Sequence, residues 1–151
     1  MTIVEACESK TNTTPEFPMG WYSVARSQEL LIGEVKSVQA FDRELVLYRT
    51  RSGVPVIQDA YCPHLGAHLG VKGRVVGESI RCPFHGWRYG TDGMCEHIPY
   101  SEEIPERARL RTWHCEEKNG EVYMWFHREN TGPQWEPPAL PELGHSEWTS
   151  P

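Results

Sequence analysis

Short stretches in which hydrophobic and polar residues alternate make up most of the chain from Met19 onward, and turn residues separate them. Alternation with a period of two is typical of β-strands that bury one face. The pattern predicts strands at residues 21–25, 34–41, 44–49, 54–60, 79–81, 87–89, 110–115 and 121–126. The dipeptide Asn119-Gly120 predicts a two-residue hairpin turn between the last two of these strands.

Helical periodicity is almost absent from the chain. Residues 27–31 predict one short helical turn, with Ser27 as its cap, and no more. Many short strands joined by Gly- and Pro-bearing turns are typical of an all-β fold. We therefore expect the fold class to be all-β.

The two ends of the chain differ in composition from its middle. Residues 1–16 are polar, and we expect them to form a flexible leader. Residues 17–131 are predicted to form one domain. Proline recurs from Pro133 onward, and proline cannot donate a hydrogen bond to a sheet ladder. Residues 132–151 are therefore predicted to form a Pro-rich linker or a strap across the surface.

Length, charge and cysteine content exclude several classes of protein. The chain has 151 residues and a formal net charge of −6, which argues against a general nucleic-acid binder. The longest apolar run, residues 122–126, is too short to span a membrane, and the N-terminus lacks the pattern of a signal peptide. Five cysteines are an odd number, which argues against a secreted disulfide framework. We predict a cytoplasmic protein without a membrane span.

Two segments carry paired cysteine and histidine residues. The first is Cys62-Pro63-His64-Leu65-Gly66-Ala67-His68-Leu69, and the second is Cys82-Pro83-Phe84-His85-Gly86-Trp87-Arg88-Tyr89. Seventeen residues, 65–81, separate His64 from Cys82, and a hairpin of that length can leave a site and return to it. Because each segment supplies one Cys and one His, the two loops are expected to face each other.

These residue types suit a [2Fe–2S] cluster with mixed ligands. Two thiolates on one iron and two neutral imidazoles on the other raise the reduction potential above that of an all-Cys cluster. Cys62, His64, Cys82 and His85 are therefore the predicted ligands. The rival metal is zinc in a Cys2His2 site, but zinc modules usually pair Cys with Cys and His with His, which is not the spacing seen here.

The two motifs resemble those of the Rieske family, and in particular the N-terminal domain of Rieske non-haem iron oxygenases. The resemblance covers residues 17–130 and includes Met19-Gly20-Trp21-Tyr22, Asp59-Ala60-Tyr61 and Ile98-Pro99-Tyr100. Among subfamilies, the chain is similar to oxygenases that act on steroids and sterols, such as 3-ketosteroid 9α-hydroxylase.

The resemblance implies the Rieske iron–sulfur fold, an antiparallel β-sandwich with an inserted cluster-binding subdomain at about residues 58–103 that contributes two loops. It implies that Trp87 shields the cluster and that Pro99 belongs to a third loop that covers it. An ordinary turn proline is an equally good interpretation of Pro99.

The chain departs from the Rieske proteins of cytochrome bc complexes at three positions beside the cluster. Ala67 and Phe84 replace two cysteines that form a disulfide in those proteins, and Trp87 replaces a hydrogen-bonding serine. Fewer hydrogen bonds to the cluster predict a potential near the low end of the Rieske range, roughly −150 mV.

The predicted function is one-electron transfer in an oxidoreductase system that uses O2 and NAD(P)H. Full-length Rieske oxygenases continue into a catalytic domain with a mononuclear iron held by two His and one carboxylate. Past Tyr100 the chain has only His114, His127 and His145, with no closely spaced pair beside an acid, so no catalytic residues are predicted on it. We expect an electron-input domain that receives electrons from a ferredoxin or flavin reductase and passes them to such a catalytic domain. The alternative is a stand-alone Rieske-type ferredoxin.

Two other groups of polar residues have simpler interpretations. His68 is predicted to be a surface loop residue, because four ligands already complete the site. Arg107, Arg109 and Arg111 alternate on a predicted strand and would point to one side. They are expected to form a solvated strand face, with docking of an acidic ferredoxin as the second interpretation.

Overall fold

The computed structural model describes residues 17–141, and there the chain folds into antiparallel sheets, which confirms the predicted all-β class. Eleven strands follow one another: β1 Gly20–Arg26, β2 Val35–Ala40, β3 Arg43–Arg49, β4 Pro55–Asp59, β5 Arg74–Val76, β6 Ser79–Arg81, β7 Arg88–Tyr89, β8 Cys95–His97, β9 Thr112–Trp113, β10 Cys115–Lys118 and β11 Glu121–Phe126. The predicted leader and residues 142–151 of the predicted linker lie outside the described residues.

The strands form three sheets, in the orders β1-β11-β10, β2-β3-β4-β9 and β5-β6-β7-β8. The third sheet is inserted in the chain between β4 and β9, and both Cys/His segments flank its strands. All pairings within the sheets are antiparallel. This arrangement agrees with the predicted sandwich with an inserted subdomain.

Strand β3 lies at the centre of the molecule and is buried on both faces. Leu45 and Leu47 pack with Val122 and Met124 of β11 in one apolar cluster. Val46 and Tyr48, which point the other way, belong to a second cluster that continues beneath the third sheet. The continuous apolar run in β3 therefore joins the two cores.

Several predicted elements are confirmed. Strands β1, β2, β3, β4, β6, β7 and β11 overlap their predicted ranges. The β10–β11 hairpin turns at Asn119 and Gly120, whose φ angles of 57° and 76° fit the left-handed turn that this dipeptide favours.

The predicted cap of the short helical turn is wrong. A single 3₁₀ turn spans Ser27–Glu29, so Ser27 lies inside it, and Arg26 occupies the cap position without a side-chain hydrogen bond. The prediction of one strand over residues 110–115 is also wrong, because β9 covers only Thr112–Trp113 and β10 begins at Cys115.

A buried arginine connects three separate segments of the sandwich. Arg49 is 7% exposed, and its guanidinium donates to the carbonyl of Leu30 (2.7 Å), to that of Gly53 (2.8 Å) and to both carboxylate oxygens of Glu117 (2.7 and 2.9 Å). These hydrogen bonds hold the pKa of the Glu117 carboxyl below its ordinary value. Because the folded-state pKa is lowered, the stabilisation is present at neutral pH and is lost as pH falls through that pKa.

We expect Glu117→Gln to lower the free energy of unfolding by about 1 kcal/mol at pH 7, since the carboxylate is partly exposed and screened. The difference from the unsubstituted chain should shrink on acidification, because protonated Glu117 resembles glutamine. Urea denaturation at pH 7 and pH 4 measures both effects. The neighbouring Glu116→Gln is the control, and an equal loss in both variants would contradict the role of the Arg49 pair.

Within residues 17–141 there is no helix of the length and apolar character needed to cross a membrane.

Candidate metal centre

The two Cys/His segments form loops with the same backbone structure. In the first, the Cys62 N–H donates to the carbonyl of Ala67 (2.9 Å), and the Gly66 N–H donates to the carbonyl of Cys62 (2.9 Å). In the second, the Cys82 N–H donates to the carbonyl of Trp87 (2.8 Å), and the Gly86 N–H donates to the carbonyl of Cys82 (3.2 Å). Each loop thus turns back over its own cysteine.

Glycine is required at the same point of both loops. Gly66 and Gly86 each have a φ of +76°, in the left-handed region that other residues seldom adopt. A Cβ on Gly66 would meet nothing within 4 Å, whereas one on Gly86 would lie 3.0 Å from Pro99 Cγ. The second loop is therefore packed on both sides, and the first is packed on one.

The two cysteines lie side by side in the apolar core. Cys62 and Cys82 are each 3% exposed, neither is in a disulfide, and their thiols hydrogen bond to each other. The Tyr89 hydroxyl lies 3.1 Å from Cys62 Sγ, where it donates to a thiolate. The Cys82 thiol and the Tyr89 hydroxyl lower the pKa of Cys62, and the thiolate so formed raises the pKa of Cys82. The pair favours one negative charge, and a cation between the sulfurs would stabilise two.

The two histidines lie together at the outer end of the loops. The ring centroids of His64 and His85 are 4.7 Å apart with an interplanar angle of 72°, and both rings are half-buried. The thiols and the imidazoles thus form two pairs, one buried and one reaching the surface. Neither pair alone completes the coordination of a metal ion.

This arrangement fits a binuclear cluster better than a single ion. Among residues 17–141 no three or more His, Cys, Asp or Glu side chains are placed to hold one metal ion. A zinc ion would need four such ligands around one point. In a [2Fe–2S] cluster with mixed ligands, each iron takes only two protein ligands and the bridging sulfides supply the rest. Two separate pairs are what that cluster requires.

Aromatic side chains cover the site from one side. The Trp87 indole stacks on the His64 ring, with centroids 4.3 Å apart and an interplanar angle of 10°. Its Nε1–H donates to the Tyr100 hydroxyl at 2.7 Å, and the indole is only 8% exposed. Trp87 therefore restricts the plane of His64 and excludes water from one face of the ring, and Tyr100 holds Trp87 in place.

The structure places Pro99 against the second loop and His68 away from the site. Pro99 packs on Gly86, next to Tyr100, which is the position that a covering third loop would have. The His68 Nδ1 accepts a hydrogen bond from the Gly70 N–H at 3.1 Å, and its ring meets Tyr61 edge to face. His68 thus has structural partners within its own loop.

The prediction of an arginine row at Arg107, Arg109 and Arg111 is wrong. These residues do not share a strand, and only Arg109 forms an isolated bridge, with Met94. The Arg111 guanidinium lies 3.6 Å from the centroid of the Trp113 ring, a cation–π contact that draws it away from solvent.

Tyr89 is the residue of the site that analysis of the sequence missed. It follows the second loop on β7 and is fully buried, and its hydroxyl reaches a cysteine of the other loop. A polar tip on a buried tyrosine needs a partner, so a tyrosine on a strand that leaves the cysteine loop was the available signal.

Comparisons with known proteins agree with this geometry. The family model of the Rieske [2Fe-2S] domain matches residues 20–113. The chain is 44% identical over 135 residues to cholesterol 7-desaturase nvd 1 of Ciona intestinalis, covering 89% of this chain and 29% of that protein. It is 38% identical over 135 residues to the oxygenase component of 3-ketosteroid-9-alpha-monooxygenase of Rhodococcus rhodochrous, covering 88% and 35%.

A solved structure shows the same architecture. The structure of apo dicamba monooxygenase superposes with a TM-score of 0.67 at 27% identity, covering 79% of this chain and 37% of that one. The chain spans about a third of the length of the proteins that it matches.

Proposed function

The chain belongs to the Rieske [2Fe–2S] domain family, and we propose that it serves as the electron-input domain of a Rieske non-haem iron oxygenase whose catalytic domain lies outside these 151 residues. A Rieske domain carries a Rieske-type [2Fe–2S] cluster, and in oxygenases of this family it transfers electrons. The observation that carries the proposal is the pair of matched loops, which bring two buried thiols and two half-buried imidazoles together.

We propose Cys62 and Cys82 as the ligands of one iron, and His64 and His85 as the ligands of the other. When bound, the cluster accepts and returns one electron at a time. The chain contributes an apolar enclosure around the sulfurs, a hydrogen bond from Tyr89, and an imidazole plane fixed by Trp87. The half-buried imidazoles leave the histidine end as the shortest path between the cluster and a partner protein.

The whole protein is proposed to act on a sterol or steroid. This rests on its relatives, which are named cholesterol 7-desaturase and 3-ketosteroid-9-alpha-monooxygenase. The proposed donor is a ferredoxin or flavin reductase, and the proposed acceptor is a mononuclear-iron domain. A cytoplasmic location remains a prediction.

A potentiometric titration of the purified chain tests electron transfer. We expect one reversible one-electron step at roughly −150 mV, at the low end of the Rieske range. The absence of any reversible step would contradict the proposal.

The gene distinguishes an oxygenase domain from a stand-alone ferredoxin. Coding sequence that continues past Pro151 into two histidines and a carboxylate at facial-triad spacing would support the oxygenase. A stop codon directly after Pro151 would support the ferredoxin.

Tyr89→Phe should lower the midpoint potential by roughly 50 mV without loss of the cluster. The hydroxyl stabilises negative charge on Cys62, and one hydrogen bond of about 1 kcal/mol corresponds to a shift of that size for one electron. Voltammetry measures the shift. Tyr123→Phe on β11 is the control, because that hydroxyl makes no hydrogen bond within residues 17–141. An unchanged potential in Tyr89→Phe would contradict the tuning role of this hydroxyl.

A further inference from the structure

Three arginines lie in a row across the inserted sheet. Arg74 of β5 pairs with Arg81 of β6, and Arg81 pairs with Arg88 of β7. Residues that are directly opposite on antiparallel strands share one face of the sheet. The adjacent positions Val75, Ile80 and Tyr89 are buried in the core, so the arginines occupy the outer face. We call Arg74, Arg81 and Arg88 the arginine face.

The arginine face has no counter-charge in the part of the chain that the structure describes. None of its three residues forms an ion pair with residues 17–141, and Arg88 Nε is buried without a hydrogen-bond partner. Like charges directly opposite each other destabilise a sheet. The chain has 21 acidic and 15 basic residues, so this local absence of acids runs against its overall composition.

The arginine face adjoins the histidine end of the candidate metal centre. A groove of about 550 Å³ is lined by Arg74, Arg81, His85 and Lys72. The Arg81 guanidinium lies over Gly86, 3.1 Å from where a Cβ would stand, directly after His85. Phe84 and Tyr100, which are 65% and 62% exposed, add apolar surface to the same groove.

We propose that the arginine face and Lys72 form the docking surface for an acidic electron-donor protein, which places the donor beside His85. The proposal rests on the proposed electron-transfer function. Unpaired surface cations speed the encounter with an acidic partner through long-range attraction. Two exposed aromatic rings among charged groups suit a small, short-lived interface, which is typical of electron-transfer encounters.

Docking leaves the electron count simple. One electron leaves the donor, which is oxidised, and one electron reduces the cluster of this chain, with no bond made or broken. The role of the arginine face is to orient the two proteins so that His85 meets the donor.

Stopped-flow reduction of the cluster-loaded chain by a reduced, acidic plant-type ferredoxin tests the proposal. Such a ferredoxin, at roughly −400 mV, has enough driving force. At low ionic strength we expect Arg74→Glu with Arg81→Glu to slow the second-order rate by at least about tenfold. The rate of the unsubstituted chain should fall with added salt, and that of the double variant should not.

Arg107→Glu with Arg109→Glu is the matched control, because it changes the charge by the same amount outside the groove. Reduction by a photogenerated neutral deazaflavin radical needs no docking and should be equally fast in all variants. Midpoint potentials are measured for each variant, so that a change in driving force is separated from a change in docking.

An equal slowing in the control, or no slowing at all, would overturn the proposed docking surface. Failure of the unsubstituted chain to accept an electron even from the small reductant would instead overturn the proposed function. If sedimentation showed a dimer that the Arg74→Glu, Arg81→Glu variant dissociates, the face would be an interface between copies, and the donor proposal would be wrong.

Discussion

Replacing His64 or His85 by Ala is expected to abolish the visible absorbance of the cluster. Each imidazole is one of only two proposed protein ligands of its iron, and no other histidine lies in the pair. Loss of one leaves that iron with a single protein ligand and an open path to water. Cys62→Ala and Cys82→Ala should have the same result, because each removes half of the buried thiol pair. Absorbance and iron content of the purified variants measure the loss.

His68→Ala is the matched control, since it removes a histidine from the same loop. His68 bonds to the Gly70 N–H and contacts Tyr61, so its loss should leave the cluster in place. A bleached His68 variant together with a coloured His64 variant would show that the proposed ligand set is wrong.

Gly86→Ala is expected to be far more harmful than Gly66→Ala, although the two glycines occupy equivalent positions. Both substitutions force alanine to a φ of +76°, which costs roughly 1–2 kcal/mol. Only at Gly86 does the new Cβ also meet Pro99 Cγ, at 3.0 Å, and overpacking adds roughly 1–3 kcal/mol.

Urea denaturation of the two cluster-loaded variants and the rate of cluster loss measure this difference. We expect Gly66→Ala to retain its cluster and Gly86→Ala to release it faster. The Arg81 side chain also lies near Gly86, but its flexible end can move away, whereas the Pro99 ring is fixed in the backbone. Equal stability of the two variants would mean that the third loop does not press on the second.

Much of the fold was predictable because its strands carry local signals. The alternation in β2 and the apolar run of β3 are long enough to show a pattern, and Asn119-Gly120 specifies its turn without help from the rest of the chain. Strands β5 and β8 have three residues each, which is too short for alternation to be visible. They form because β6 and β7 offer them hydrogen-bonding edges.

The candidate site divides in the same way. The two Cys/His motifs are contiguous, so the proposed ligands could be found by reading along the chain. The bond from Tyr89 to Cys62 joins residues 27 positions apart and depends on how the loops face each other. The arginine face depends on strand register, because Arg74, Arg81 and Arg88 are neighbours only across β5, β6 and β7. Sequence spacing of seven residues gives no sign of that contact.

Quantitation of iron and acid-labile sulfide in the purified chain, with EPR of the reduced protein, tests the central claim most directly. The paired thiols and imidazoles predict about two irons and about two sulfides per chain, and a signal from one unpaired electron after one-electron reduction. Zinc without sulfide, or iron without sulfide and without such a signal, would contradict the assignment of Cys62, His64, Cys82 and His85 to a [2Fe–2S] cluster.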